Sequence, residues 1–225
     1  MVATYFKFPP EKYKKLLDQE IQKCYRKENK QNVQKINLEH KATAVELELS
    51  DRMFHATPRE AYITLKDHKP DFETRPNVRS INPSKPDIGQ IAKQILDNIV
   101  KDIRAKSDLK QCTNTEDVIQ WFESIKERPK LSFIVFDIES FYPSITPTLL
   151  NRALEWAENY VTVTPQQTKI IHQASQSFLF SKGSPWVKKG DINFDIGMGA
   201  YHGAQACEIV GLFLLNQISE LPNFN

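Results

Sequence analysis

Residues 131–146 read LSFIVFDIESFYPSIT. The apolar run through Phe133, Ile134, Val135 and Phe136 has the length and composition of a buried β-strand. It ends on a carboxylate, Asp137, which is costly at the end of a buried strand unless something positive meets it. Two readings are open. Asp137 caps the turn before the next helix, or it is one ligand of a metal site.

Working outward, Thr146-Pro147 starts a helix, with threonine as N-cap and proline at the first helical position. Thr164-Pro165-Gln166-Gln167 repeats the device, and Gln167 is placed for a capping box. FLFSKGSPWVKKGDINFDIG then reads as a hairpin around Lys182-Gly183-Ser184-Pro185. GMGAYHGAQ is a glycine-containing loop that leads into a last, strongly apolar helix.

Upstream, AYITL and VRSIN are strand-like and flank KDHKPDFETRPN, a turn rich in Pro, Asp and Lys. Asp87 is a candidate cap for a helix that carries Ile88, Ile91, Ile95, Ile99 and Ile103 on one face. Asn114 or Thr115 caps a further helix, which Pro129 ends. Residues 1–56 read as a polar helical lead-in. After Pro9-Pro10, Tyr13, Leu16, Leu17, Ile21 and Cys24 recur at helical spacing, and KENKQNVQK separates a second helix that ends near Leu49. Strands separated by long helices give an α+β fold, a sheet covered by helices. No internal repeat is present.

Composition excludes more than it assigns. The chain has 225 residues, 40% hydrophobic and 26% charged, within the range of one large or two small globular domains. A net charge of +2 does not announce nucleic-acid binding, so any basic surface comes from local clustering. Cys24, Cys112 and Cys207 are far apart and odd in number, which argues against a zinc site or a disulfide framework. They point to a reducing compartment, hence an intracellular, cytoplasmic or nuclear protein. There is no apolar run of about 20 residues, the length of a membrane span.

The chemistry centres on Asp137. Strand periodicity puts Asp137 and Glu139 on one side if the strand continues. Magnesium takes hard oxygen ligands and commonly keeps phosphate oxygens and water. A carboxylate at the tip of a rigid strand suits it, and the backbone carbonyl of Ile138 adds an oxygen. In the basic turn, arginine binds phosphate bidentately and lysine acts as a mobile point charge. A solvated charged turn is the plainer alternative there, and a capping role the plainer alternative for Asp137.

D-x-x-S-F-Y-P-S-I resembles motif A of nucleic-acid polymerases. Reverse transcriptases and family B DNA polymerases both carry an Asp with an aromatic five residues later, here Asp137 and Tyr142. The upstream segment ITLKDHKPDFETRPNVRSIN resembles the fingers hairpin of reverse transcriptases. GMGAYHGAQACEIVGLFLL lies where that family carries motif B. The family's usual Pro-Gln-Gly-x-x-x-Ser-Pro falls here on Tyr201, His202, Gly203, Cys207 and Glu208, a clear departure that leaves a close backbone approach at Gly203. His202 is taken as a surface histidine. The lysine-rich helix and Asn-Ser-x-Tyr-Gly string of family B polymerases are missing. From about Tyr5 to Leu215 the chain is similar to retroelement-encoded reverse transcriptases, with some likeness to Penelope-type elements in ITLKDHK, INPSKPDIG, FDIESFYPSI and MGAYHGA.

That resemblance implies right-hand polymerase architecture: a fingers-like region over 57–130 and a partial palm over 131–225, with an incomplete antiparallel sheet. It implies template-directed nucleotidyl transfer with two magnesium ions, one bound by Asp137 and the Ile138 carbonyl. It places Lys66, Lys69, Arg75 and Arg79 on the triphosphate, and Tyr142 beneath the incoming sugar, where it crowds a 2′-hydroxyl. The implied partners are an RNA or DNA template with its primer and deoxynucleoside triphosphates, and no membrane. The family's other metal carboxylates come from motif C, a Y-x-D-D turn, and no Asp-Asp pair occurs in the chain. The expectation is a truncated piece, inactive alone. A non-catalytic nucleic-acid-binding remnant, a family B-like fragment and a plain interaction domain remain as alternatives.

Overall fold

Pro10 occupies the first helical position of α1 (Pro10–Cys24), where its missing N–H costs nothing. The helix stops at Cys24 because the chain goes extended into strand β1 (Tyr25–Lys27). The computed structural model describes residues 9–52, 59–66, 78–83, 88–109, 111–112, 114–126, 130, 132, 135, 137–138, 140–190 and 193–221. Helical spacing alone carries α1 through Tyr25. Tertiary contact overrides it, since the Tyr25 ring is buried and its hydroxyl is bonded inside the protein. The polar break is short as well. Asn29 accepts a hydrogen bond from Asn32 N (2.7 Å) and caps α2 (Lys30–Glu46). The opening residues are therefore part of the packed structure, with Leu17 and Ile21 of α1 buried.

Strands β2 (Tyr62–Leu65) and β3 (Val78–Ile81) pair antiparallel, with Thr64 opposite Arg79. Ile63 and Val78 pack with Leu17, Ile21 and Tyr25. By the two-residue alternation, Arg79 and Ile81 occupy the opposite face. The capping residue Asp87 lies outside the described residues, but α3 (Ile88–Lys106) follows as expected. Its core stripe is Ile88, Ala92, Leu96, Ile99 and Ile103, while Ile91 and Ile95 are only half-buried. A bare isoleucine count rotates the stripe away from Ala92 and Leu96. Asn114, which accepts from Asp117 N at 2.9 Å, caps α4 (Thr115–Ser124).

The expected buried strand over 131–138 is not present at its described positions. Ser132, Val135, Asp137 and Ile138 lie in no strand and are exposed, Val135 by 93%. Among the described residues every named strand pairs elsewhere, and a described residue without a ladder partner is not held in a sheet. Ser140, with φ 53°, then turns the chain into the single-turn helix α5 (Phe141–Ser144). Thr146 accepts from Leu149 N (3.1 Å) to cap α6 (Pro147–Ala157). Thr164 and Gln167 form the capping box of α7 (Pro165–Ala174).

Strands β4 (Leu179–Ser181) and β5 (Ser184–Lys188) form the expected hairpin, but its loop is only Lys182-Gly183, both with positive φ. Glu60 fastens that loop by accepting from the amides of Lys182 (2.7 Å) and Gly183 (3.0 Å). The sheet order is β1-β5-β4. Glu28 N donates to Pro185 O (2.9 Å), and Pro185 has no N–H to return the bond, so β1 ends at Lys27. Helices α3, α6, α7 and the last helix, α8 (Gly203–Ser219), enclose the larger core, where Leu96, Leu150, Ile171 and Ile209 are fully buried. The fold is α+β, with eight α-helices and small antiparallel sheets among the described residues.

The hairpin β2–β3 meets α8 through the loop that precedes it. Asn82 N donates to Met198 O at 2.8 Å. At Gly199, φ is 99° and an added Cβ would stand 2.4 Å from the Asn82 carbonyl oxygen. Backbone cannot yield there as a side-chain tip would. Gly199→Ala is therefore expected to destabilise the fold by about 3 kcal/mol or more. Urea unfolding checks this, and a loss below about 1 kcal/mol would contradict the close approach.

Candidate functional site

Two of the residues singled out in the sequence, Tyr142 and Gly203, meet where the glycine loop enters α8. Gly203 is the first residue of that helix. A Cβ there would lie 3.1 Å from the Gly197 carbonyl oxygen and 3.6 Å from Tyr142 Cε1. Tyr142, carried by α5, thus rests against the loop. Its phenol and the Cys207 thiol share a hydrogen bond. Burial pushes the thiol up to about 12, which the bond from Tyr142 only partly offsets. The Tyr142 phenol is also raised, by burial first and then by Cys207, while the Arg79 charge pulls it back down. Arg79 itself is exposed on β3.

The other nominated residues are placed less closely. Lys66 directly follows β2 and is half-buried. Lys69 and Arg75 lie outside the described residues, as does Glu139. Asp137 and Ile138 are exposed and extend from no strand. Among the described residues no group of three His, Cys, Asp or Glu side chains is placed to hold a metal ion. One carboxylate and one carbonyl do not by themselves make a magnesium site.

Two buried groups beside this site escaped the sequence reading. Asp195 is 2% exposed. Its Oδ2 accepts from Tyr25 Oη at 2.7 Å, and Lys188 Nζ stands 3.7 Å from Oδ1. Burial raises its pKa, against the lowering effects of Tyr25 and Lys188. The signal was present in the sequence, since Asp195 sits between apolar Phe194 and Ile196 as Asp137 sits after Phe136. His202, expected at the surface, is 1% exposed. Its ring lies against the start of α3, where a Cβ on Gly89 would be in ordinary contact with His202 Nδ1, at 3.7 Å. Its Nε2 is 3.0 Å from Ser175 Oγ, which itself donates to Ile171 O. Ser175 therefore accepts from Nε2–H, and the neutral imidazole keeps Nδ1 bare.

That arrangement makes stability depend on pH. Burial lowers the His202 pKa from 6.5 to about 4, and burial also lowers His40 and His172. Between about 6.5 and about 4 the unfolded chain binds a proton at His202 that the native chain refuses, so stability falls as pH drops through that window. Asp195 has the opposite sign, since a raised carboxyl loses stability as pH rises. Unfolding free energy is expected to drop by about 2 kcal/mol between pH 7 and pH 5 through His202 alone. His202→Gln keeps a donor toward Ser175 and removes the titration, so the drop should shrink. An unchanged pH slope in that variant would place His202 elsewhere.

No protein-family model matches the chain, and neither a curated protein nor a solved structure does.

Proposed function

We propose that the chain is the fingers region and first half of the palm of an RNA-directed DNA polymerase of the reverse transcriptase kind. The observation that supports this most is the close approach of Tyr142 to the Gly203 loop. These residues come from two segments that resemble two separate polymerase motifs, A and B, while Arg79, from the segment that resembles the fingers hairpin, acts on Tyr142 by its charge. A charged turn or a capping carboxylate, taken alone, gives no reason for that convergence.

In this reading the primer 3′-hydroxyl attacks the α-phosphate of a deoxynucleoside triphosphate, and pyrophosphate leaves in line. Catalysis of such a displacement is largely positioning and charge neutralisation. Arg79 holds triphosphate oxygens through its planar fork, and Lys66 adds a point charge at the end of the paired strand. Tyr142 lies under the sugar and crowds a 2′-hydroxyl. Gly203 lets the backbone approach the nascent base pair, where any side chain would press on Gly197 and Tyr142. Asp137 and the Ile138 carbonyl are the oxygens assigned to magnesium by resemblance. The described residues around them do not complete that site, so positioning by the chain's own side chains carries the proposed chemistry. Primer–template would bind through phosphate contacts that weaken with salt. Among the described residues no helix is long and apolar enough to cross a membrane.

The test uses a chain that continues through a Y-x-D-D turn, assayed by primer extension. Asp137→Asn should lower extension by about a thousand-fold, the scale of losing one charge-stabilising group. Primer–template affinity should stay within about two-fold, because phosphate contacts elsewhere supply it. If the variant loses its fold instead, Asp137 is a structural cap. Salt-sensitive binding with no extension by the unaltered chain would favour a non-catalytic nucleic-acid-binding remnant.

A further inference from the structure

The turn that carries Tyr142 is anchored by apolar contacts at Phe141, Tyr142 and the buried Ile145, and its polar anchoring is sparser. Helix α5 is four residues long, contributes no fully buried side chain, and begins at Ser140 in the left-handed region. A single helical turn is marginal on its own. Its carbonyl groups need partners from outside, as at any helix end. One such partner is Lys188 on β5, whose Nζ donates to Pro143 O at 2.7 Å. Pro143 is the residue next to Tyr142. The same ammonium lies 3.7 Å from Asp195 Oδ1, the Asp195 carboxylate accepts from Tyr25 Oη, and the Asp195 backbone is fixed by its amide, which donates to Ser175 O at 2.8 Å.

The second wall of the Tyr142 seat touches the same carboxylate. A Cβ at Gly197 would stand 3.2 Å from Asp195 Oδ2, and the Gly197 carbonyl faces Gly203. Asp195 thus sits under the start of the glycine loop and, through Lys188, behind the α5 turn.

From this we infer that Lys188 and Asp195 are positioning residues: together they brace α5 so that Tyr142 stays seated against Gly203 and Cys207. Neither contacts the nucleotide in the proposed site. The brace follows from the contacts alone, and its consequence for sugar selection rests on Tyr142 lying beneath the sugar, as proposed for the polymerase. A buried carboxylate is strongly unfavourable without a fixed counter-charge. Asp195 therefore holds Lys188 near one place, and a charge-assisted bond from Lys188 holds Pro143. Without the ammonium, α5 is free to lift, and the phenol leaves the Cys207 thiol.

Cys207 supplies the readout. It is buried, while Cys24 and Cys112 are exposed and serve as internal references. Lys188→Met keeps the apolar stem and removes the donor. Alkylation of Cys207 by iodoacetamide, followed by mass spectrometry, should then speed up about ten-fold or more relative to the two references, the factor for losing one charge-assisted bond. Lys188→Arg should stay within about two-fold of the parent chain. Ile103→Val, a core change away from the brace, should not raise Cys207 reactivity at matched overall stability. If Lys188→Met does not fold because Asp195 is left uncompensated, the double variant Lys188→Met/Asp195→Asn removes both charges and should still expose Cys207. Unchanged Cys207 protection in the folded variants overturns the brace.

A second measurement separates the brace from the function it would serve. In a chain that continues through a Y-x-D-D turn, Lys188→Met should narrow the preference for deoxynucleotides over ribonucleotides without weakening primer–template binding. Exposed Cys207 with no nucleotide use by any form leaves the brace standing and removes the polymerase reading.

Discussion

The tightest constraint in the molecule is the seating of the 197–203 loop on the end of β3. The Asn82 amide donates to Met198 O, and Gly199 passes so near the Asn82 carbonyl that a methyl group would overlap it. This contact joins the β2–β3 hairpin to α8, which otherwise belongs to a different core. The hairpin packs on α1 through Ile63 and Val78, whereas α8 packs among α3, α6 and α7. Two apolar clusters are thus tied by backbone and glycine. Ile81 reaches the same glycine from its side chain, so the face of β3 that carries Arg79 turns toward the loop.

Beneath the loop, polar groups are buried at some cost. For Asp195 the desolvation effect outweighs the hydrogen bond from Tyr25 and the nearby Lys188, since its pKa remains raised. Two partners lessen that cost without cancelling it. A packed apolar residue would stabilise the position better, but it would hold neither Lys188 nor Tyr25. Those two residues bring β5 and β1 to the site, and β1 is the strand that replaces the end of the expected first helix. His202 follows the same pattern. It packs beside Gly89 at the start of α3 and tolerates burial only as a neutral ring.

Local signals were the legible part of the sequence. Caps at Asn114, Thr146 and Thr164, the two hairpins, and the loop-to-helix entry at Gly203 all follow from turn and capping chemistry within a few residues. They are legible because short-range hydrogen bonds decide them. Long-range packing decided the rest. Tyr25 leaves its helix because a carboxylate 170 residues away accepts its hydroxyl. The α3 stripe turns toward Ala92 and Leu96 because that face packs against α7 and α8. The apolar run before Asp137 reads as a strand by composition, yet its described residues are exposed and unpaired, since composition does not supply a ladder partner. At the candidate site, the resemblance singled out Tyr142 and Gly203, which meet. Asp195 and Lys188 carry no motif and became visible only through their contacts.

A nucleotide site built on Tyr142, Arg79 and the Gly203 loop makes one demand that a merely structural cluster does not. Tyr142 must select the sugar. The direct measurement is single-nucleotide incorporation by a chain that continues through a Y-x-D-D turn, with matched deoxy- and ribonucleoside triphosphates, before and after Tyr142→Ala. The expected result is a fall in the deoxy-to-ribo ratio of kcat/KM by about ten- to a hundred-fold, the range that a steric pocket wall contributes to discrimination. Deoxynucleotide use should itself persist. An unchanged ratio in a folded variant would mean that the ring packs the core and touches no sugar, and the nucleotide site would lie elsewhere or not exist.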